Sequence, residues 1–141
     1  MPNYDLIGVL YDTAQELVGV RYSMYDAGSE GQDGIDAIEL RFEVGVTATV
    51  YVEVEFDTLR LELSEMELGE DHYSKDAITL EPWRNVLGGT VSWIWLLTNQ
   101  QGYEDGIRFE LSSADGHKES SITLIGMASK IEIYSSKKIN P

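Results

Sequence analysis

From Val20 onward, apolar and polar residues alternate with a period of two, and that period restricts the fold more than any other feature of the chain. Val20, Tyr22 and Met24 alternate with Arg21 and Ser23; Ile38, Leu40, Phe42 and Val44 alternate with Glu39, Arg41 and Glu43. Val50, Val52, Val54 and Phe56 alternate with Tyr51, Glu53, Glu55 and Asp57, and Leu59, Leu61 and Leu63 with Arg60 and Glu62. Successive side chains of a strand point to opposite faces, so each run predicts a strand with one buried and one wet face. Taken in order, with a Gly-rich turn at 27–34 between the first and second, the runs predict an antiparallel meander. Four further strands are expected at Thr90–Thr98, Gly106–Ser112, Ser121–Met127 and Lys130–Tyr134.

Helical spacing occurs before each set of strands. Leu6, Leu10, Ala14 and Leu17 recur at about the helical period, with Asn3 as a cap and Gly19 as a stop, which predicts a helix from about Tyr4 to Leu17. Gly8 and the β-branched residues beside it leave a strand over Leu6–Tyr11 as the other reading. Pro82 opens a second short helix through Trp83, Val86 and Leu87, ended by Gly88-Gly89. Between the sets, residues 64–81 form an acidic connection containing Glu65, Glu67, Glu70 and Asp71, without periodicity until Ile78–Leu80.

The expected fold class is therefore α+β: two antiparallel β-meander units, each preceded by a short helix, at about 4–63 and 82–134 of a single domain spanning 1–141. Val18-Gly19 matches Leu87-Gly88, and Asp36–Leu40 matches Asp105–Phe109, at a common offset; Val52, Val54, Leu61 and Leu63 match Ile122, Leu124, Ile131 and Ile133 at an offset one residue longer. This pattern suggests an internal duplication, although any two meanders align to some degree by alternation alone. Neither half carries enough apolar surface to fold by itself, so the units are expected to share one core.

Charge is distributed very unevenly. Residues 1–81 hold nineteen Asp and Glu against four Lys and Arg, a net of −15, whereas residues 82–141 hold six against six. A one-signed surface attracts cations and repels nucleic acid and anionic membranes, so a basic protein partner is expected. Such charge is also found in disordered chains, but fourteen aromatic residues and the Val/Ile/Leu-rich runs argue for a folded one. Glu39, Glu43, Glu53, Glu55, Asp57 and Glu62, offset only by Arg41 and Arg60, gather on the wet face of the first meander. Like charges facing each other across strands oppose folding, which makes this face the first candidate for partner binding, with a simply solvated face as the other reading.

A second candidate lies in the other unit. The run Val91–Leu97 is apolar on both faces, which predicts a central strand covered on both sides; exposed instead, Trp93 and Trp95 become binding anchors. The following loop offers Asn99, Gln100, Gln101 and Tyr103, whose amides and phenol either meet a ligand or satisfy their own hairpin.

Chemistry-bearing motifs are few. With no cysteine, disulfides, thiolate nucleophiles and cysteine-bound zinc or iron–sulfur sites are excluded. Asp26, Glu30 and Gly31 imitate part of a calcium loop, but Gly28 and Ala37 fall where oxygen ligands belong; His72 and His117 have no partner at helical spacing. No Gly-x-Ser-x-Gly elbow, phosphate-binding loop, dinucleotide fingerprint or His-Glu-x-x-His is found, and Glu104 and Asp105, adjacent in a turn, point apart. A protein without metal, cofactor or catalytic activity is expected. The opening Met-Pro-Asn-Tyr-Asp-Leu lacks a secretory pattern, and the longest apolar run, Trp93–Leu97, is too short to cross a bilayer, so a cytoplasmic location is expected.

The stretch Pro82-Trp83, Leu87-Gly88, Trp93-Ile94-Trp95-Leu96-Leu97 and Thr98-Asn99-Gln100-Gln101-Gly102-Tyr103-Glu104-Asp105-Gly106 resembles a bacterial family of small acidic proteins of unknown function, over about the second half of the chain. That resemblance implies no activity. Small acidic cysteine-free α+β chains also resemble the immunity proteins of bacterial toxin systems. The expected function is thus an immunity-type inhibitor that neutralises a basic toxin through its acidic sheet face. The alternatives are a small-ligand module using the Asn99–Asp105 loop and a homodimeric structural protein joined through the Trp strand.

Overall fold

The computed structural model describes residues 2–25, 31, 33–53, 55 and 58–135. Val54, Phe56, Asp57 and the calcium-like positions Asp26 and Glu30 lie outside the described residues. Among the described residues, one helix, α1 (Asn3–Thr13), precedes nine strands: β1 (Leu17–Tyr25), β2 (Gly34–Phe42), β3 (Thr47–Glu53), β4 (Thr58–Glu62), β5 (His72–Asp76), β6 (Val91–Thr98), β7 (Glu104–Ser112), β8 (Glu119–Met127) and β9 (Lys130–Ser135).

Helix α1 is shorter than its apolar spacing suggests. Ala14 already has extended dihedrals, and Leu17, the last residue of the expected helix, is instead the first of β1. Pairing explains the switch: Leu17 faces Phe42, its N–H donates to the Gly89 carbonyl, and its carbonyl accepts from Gly88 N–H. Asn3 does not cap the helix. Pro2 occupies the cap, and Asn3 turns its amide inward to the edge strand β4, donating to the Leu59 carbonyl at 2.8 Å and accepting from Leu61 N–H at 2.9 Å.

The alternating runs form antiparallel sheets. β1 to β4 and β6 to β9 are each a meander, and β5 adds to the free edge of β1, giving sheet orders β4-β3-β2-β1-β5 and β6-β7-β8-β9. Their inner faces bury one apolar cluster, including Val20, Ile38, Leu40, Val50 and Leu61 from the first sheet and Ile94, Phe109, Ile122 and Leu124 from the second. Leu10 of α1 and Trp83 and Val86 of the connection join it.

The second unit has no preceding helix, contrary to the expectation from Pro82. The chain makes only a 3-10 turn at Trp83–Asn85, because two other demands shape the segment. Trp83 is wholly buried, with its indole N–H donating to the Tyr22 hydroxyl at 2.6 Å. A few residues later Gly88, at φ +78°, and Gly89 must pass along Leu17 and the end of β7; a Cβ on Gly89 would stand 1.7 Å from the Ser112 carbonyl oxygen.

Between the two meanders, register and packing correspond in detail. The β1–β2 pairing is irregular between Leu17 and Gly19 and between Ser23 and Met24; the β6–β7 pairing is irregular between Val91 and Trp93 and between Leu97 and Thr98. With Leu40 set against Phe109, these are the same positions. Packing between the sheets is reciprocal as well: β2 meets β9 as β7 meets β4, and β3 meets β9 as β8 meets β4. The correspondence differs from the sequence matches. Val20 and Ile94, facing Leu40 and Phe109, are equivalent; so are Ala48 and Ile122, and Leu61 and Ile133.

Candidate functional site

The acidic connection turns out to have a demanding route. β4 lies at one edge of the first sheet and β5 at the other, so residues 63–71 form a strap across the sheet's outer face, over β3 and β2. Three contacts hold it down. The Thr49 hydroxyl donates to the Ser64 carbonyl at 2.7 Å, the Met66 N–H donates to Glu39 Oε2 at 2.9 Å, and His72 Nε2 lies 2.6 Å from Asp36 Oδ2. Met66 is buried beneath the strap.

This arrangement corrects the expected acidic face. Glu39 is not wet: it is 0% exposed and anchors the strap while gripping Arg21 at 2.9 and 3.1 Å. Burial pushes its carboxyl up, but the Arg21 guanidinium and the Met66 amide outweigh this and hold it below the ordinary carboxylate value. Glu43 and Glu55 are exposed, each in a turn beyond a strand end. Glu53 is half-exposed, takes the Thr58 hydroxyl at 3.3 Å and stands 3.9 Å from Arg60. Glu62 is exposed and accepts the Tyr51 hydroxyl at 3.0 Å.

Between strap and sheet runs a cleft of about 720 Å³. Ser23, Ala37 and Thr49, all buried, belong to its lining; Asp36, Glu62, Glu65 and Glu67 supply carboxylates, and among the described residues no Lys or Arg lines it. Asp36 sits at the irregularity between Ala37 and Ile35 in β2. Its Oδ2 meets His72, and its Oδ1 is buried without a hydrogen-bond partner among the described residues.

His72, the first residue of β5, closes one end of the cleft. Its Nδ1 lies 2.6 Å from the Glu70 carbonyl oxygen and its Nε2 2.6 Å from Asp36, so both nitrogens face acceptors. Protonated on both nitrogens, the ring can donate to both acceptors at once. The Glu70 carbonyl raises its pKa most; burial opposes, and Asp36 and Asp71 add to the rise. Among the described residues, no group of three or more His, Asp or Glu side chains is placed to hold a metal ion.

In the second sheet, the expectation of a doubly covered Trp strand is corrected. β6 is an edge strand, and Trp93 and Trp95 are 50% and 46% exposed on its outer face, while Ile94 turns inward. Trp93 meets Tyr11 of α1 edge-to-face at 5.5 Å, and Trp95 carries the Arg108 guanidinium 5.5 Å from its ring centroid.

The loop between β6 and β7 satisfies itself. Asn99 Oδ1 accepts from the N–H groups of Gln101 and Tyr103, and the Asn99 amide reaches Asp105. Gln100, Gln101 and Tyr103 are exposed. The Asn99 side chain is thus engaged within its own hairpin, and Trp93 and Trp95 lie on the outer face of β6.

Sequence reading missed the strap and its anchors, because Ser64, Met66 and His72 follow no period. The one available signal was length: eighteen residues without a regular pattern, 64–81, are more than a simple turn needs.

A family model described as a family of unknown function, DUF6334, matches residues 6–140, well beyond the Pro82–Gly106 stretch that carried the resemblance. No curated protein and no solved structure matches the chain.

Proposed function

We propose that this chain, which belongs to the DUF6334 family of unknown function, is a non-catalytic binding protein that receives cationic side chains of a partner in the cleft beneath its acidic strap. The observation that carries this reading is the cleft's lining among the described residues: four carboxylates, one of them with a buried oxygen that has no partner there, and neither Lys nor Arg. A guanidinium or ammonium entering there would recover hydrogen bonds that Asp36 lacks and relieve repulsion among Asp36, Glu62, Glu65 and Glu67.

The basic toxin expected from the charge distribution is one partner of this chemistry, and the strap narrows where it would be held. Of the expected sites, Glu43 and Glu55 would contribute long-range attraction, whereas Glu62 belongs to the cleft. Titration with a tetra-arginine peptide tests the reading. Glu65→Gln with Glu67→Gln should weaken binding about tenfold, while Glu43→Gln should change it little; equal losses would mean a diffuse field and no site.

We also read the two meanders as copies of one ancestral unit. The shared positions of both irregularities and the reciprocal packing support this reading more strongly than alternation does, because alternation does not dictate where a register shifts. In that view the first copy acquired β5, the strap and its acids, and the second kept an open edge strand with two Trp residues.

A further inference from the structure

We propose that the groove between α1 and β6 binds a small organic ammonium ion. It is separate from the cleft under the strap and rests on different residues. Its volume is about 510 Å³, and its lining combines three aromatic side chains, Tyr4, Tyr11 and Trp93, with two carboxylates, Asp5 and Asp12. Among the described residues, no Lys, Arg or His lines it. Helical spacing makes the set coherent: Tyr4, Gly8 and Tyr11 fall at i, i+4 and i+7, and Asp5 and Asp12 flank them, so one helix face supplies rings and charges together.

Aromatic faces attract cations through their quadrupole, and the neighbouring carboxylates add Coulomb attraction; a quaternary ammonium, weakly hydrated, gains most from both. The volume suits a small ligand. The same patch already displays this chemistry in Arg108 over Trp95, while Trp93 turns toward Tyr11 and the groove.

Gly8 is an independent indication. It sits in the helix interior, where glycine costs stability relative to alanine, and its backbone has no positive φ. A Cβ there would meet nothing within 4 Å, so packing does not require its absence. What the missing methyl does provide is depth in the groove that Gly8 lines. Tyr4 and Tyr11, 75% and 44% exposed, likewise remain facing water on a helix whose other face is buried.

The test is titration of the intact chain with choline, followed by NMR at the Trp93 indole N–H, with uncharged 3,3-dimethylbutan-1-ol as the shape-matched control. Saturable shifts are expected with choline, and affinity about tenfold weaker for the alcohol, which lacks the cation–π attraction. Gly8→Ala should raise the melting temperature yet weaken choline binding, a split that a purely structural role for Gly8 does not produce. Asp12→Asn should also weaken it. Equal binding of choline and the alcohol, no saturable shift, or Gly8→Ala leaving affinity unchanged would each overturn the proposal. Saturation by an unmodified lysine peptide but not by choline would do the same.

Discussion

Arg21 and Glu39 face each other across β1 and β2 in a two-point ion pair, with the glutamate fully buried and the arginine side chain 39% exposed. The same carboxylate receives the Met66 amide, so one residue joins sheet and strap. Glu39→Gln should cost about 1.5–3 kcal/mol, the range for hydrogen bonds to charged groups. Urea denaturation measures the loss, and faster amide exchange at Met66 locates it. Because the Glu39 carboxyl is held below its ordinary value, its contribution is present above the ordinary carboxylate range and fades as pH falls through the lowered value. The variant should therefore show a shallower loss of stability in acid.

The His72 latch has the opposite sign. Its pKa is raised from 6.5, so the imidazolium that bridges Glu70 and Asp36 stabilises the closed strap fully below that value. The contribution is lost as pH rises through the raised value, when one of the two acceptors loses its proton donor. Amide exchange over residues 64–71 should accelerate across this window, and His72→Phe should abolish the pH dependence. A strap whose protection stays flat through the histidine titration would contradict the latch.

Asn3 acts as a one-residue partner for the edge of β4, its amide donating to the Leu59 carbonyl and accepting from Leu61 N–H. Asn3→Ala should leave both buried groups unpaired, at a cost of about 1–3 kcal/mol for each. Asn3→Asp should be worse than Asn3→Leu, since a carboxylate keeps the Leu61 bond but sets a negative charge against the Leu59 carbonyl oxygen. The order of the three urea midpoints checks this geometry.

These residues also mark how far the sequence could be read. Among the described residues, seven of the nine strands follow from alternation, since Leu40, Phe109, Ile122 and their neighbours must all reach one core and a period of two is how a strand delivers them. β5 escaped because His72–Asp76 is an edge strand with polar residues on both faces, which leaves no alternation to detect. Glu39 was misplaced for a related reason: period two correctly assigns it to the outer face, but a face is wet only if nothing crosses it. Val91–Leu97 failed the other way, because two Trp residues on an outer face look like core to any count of apolar residues. Asn3 was read as a cap from its position, and its real partners lie more than fifty residues away.

Trp83 and Tyr22 provide the last prediction, because their bond couples the connection to the first sheet. The indole N–H donates to the Tyr22 hydroxyl at 2.6 Å, with both side chains buried. Tyr22→Phe removes the acceptor and strands the N–H in the core, at about 1–3 kcal/mol. Trp83→Phe removes the donor and opens a void in the core, adding a packing loss of similar size. The double variant strands nothing, so its destabilisation should fall short of the sum of the two, and a thermodynamic cycle from urea unfolding measures the difference. Burial also raises the Tyr22 pKa, with the Trp83 bond opposing it in part. In the folded protein its phenol should therefore ionise above the ordinary tyrosine range, and Trp83→Phe should raise that value further. A lowering would mean that the indole does not donate to Tyr22.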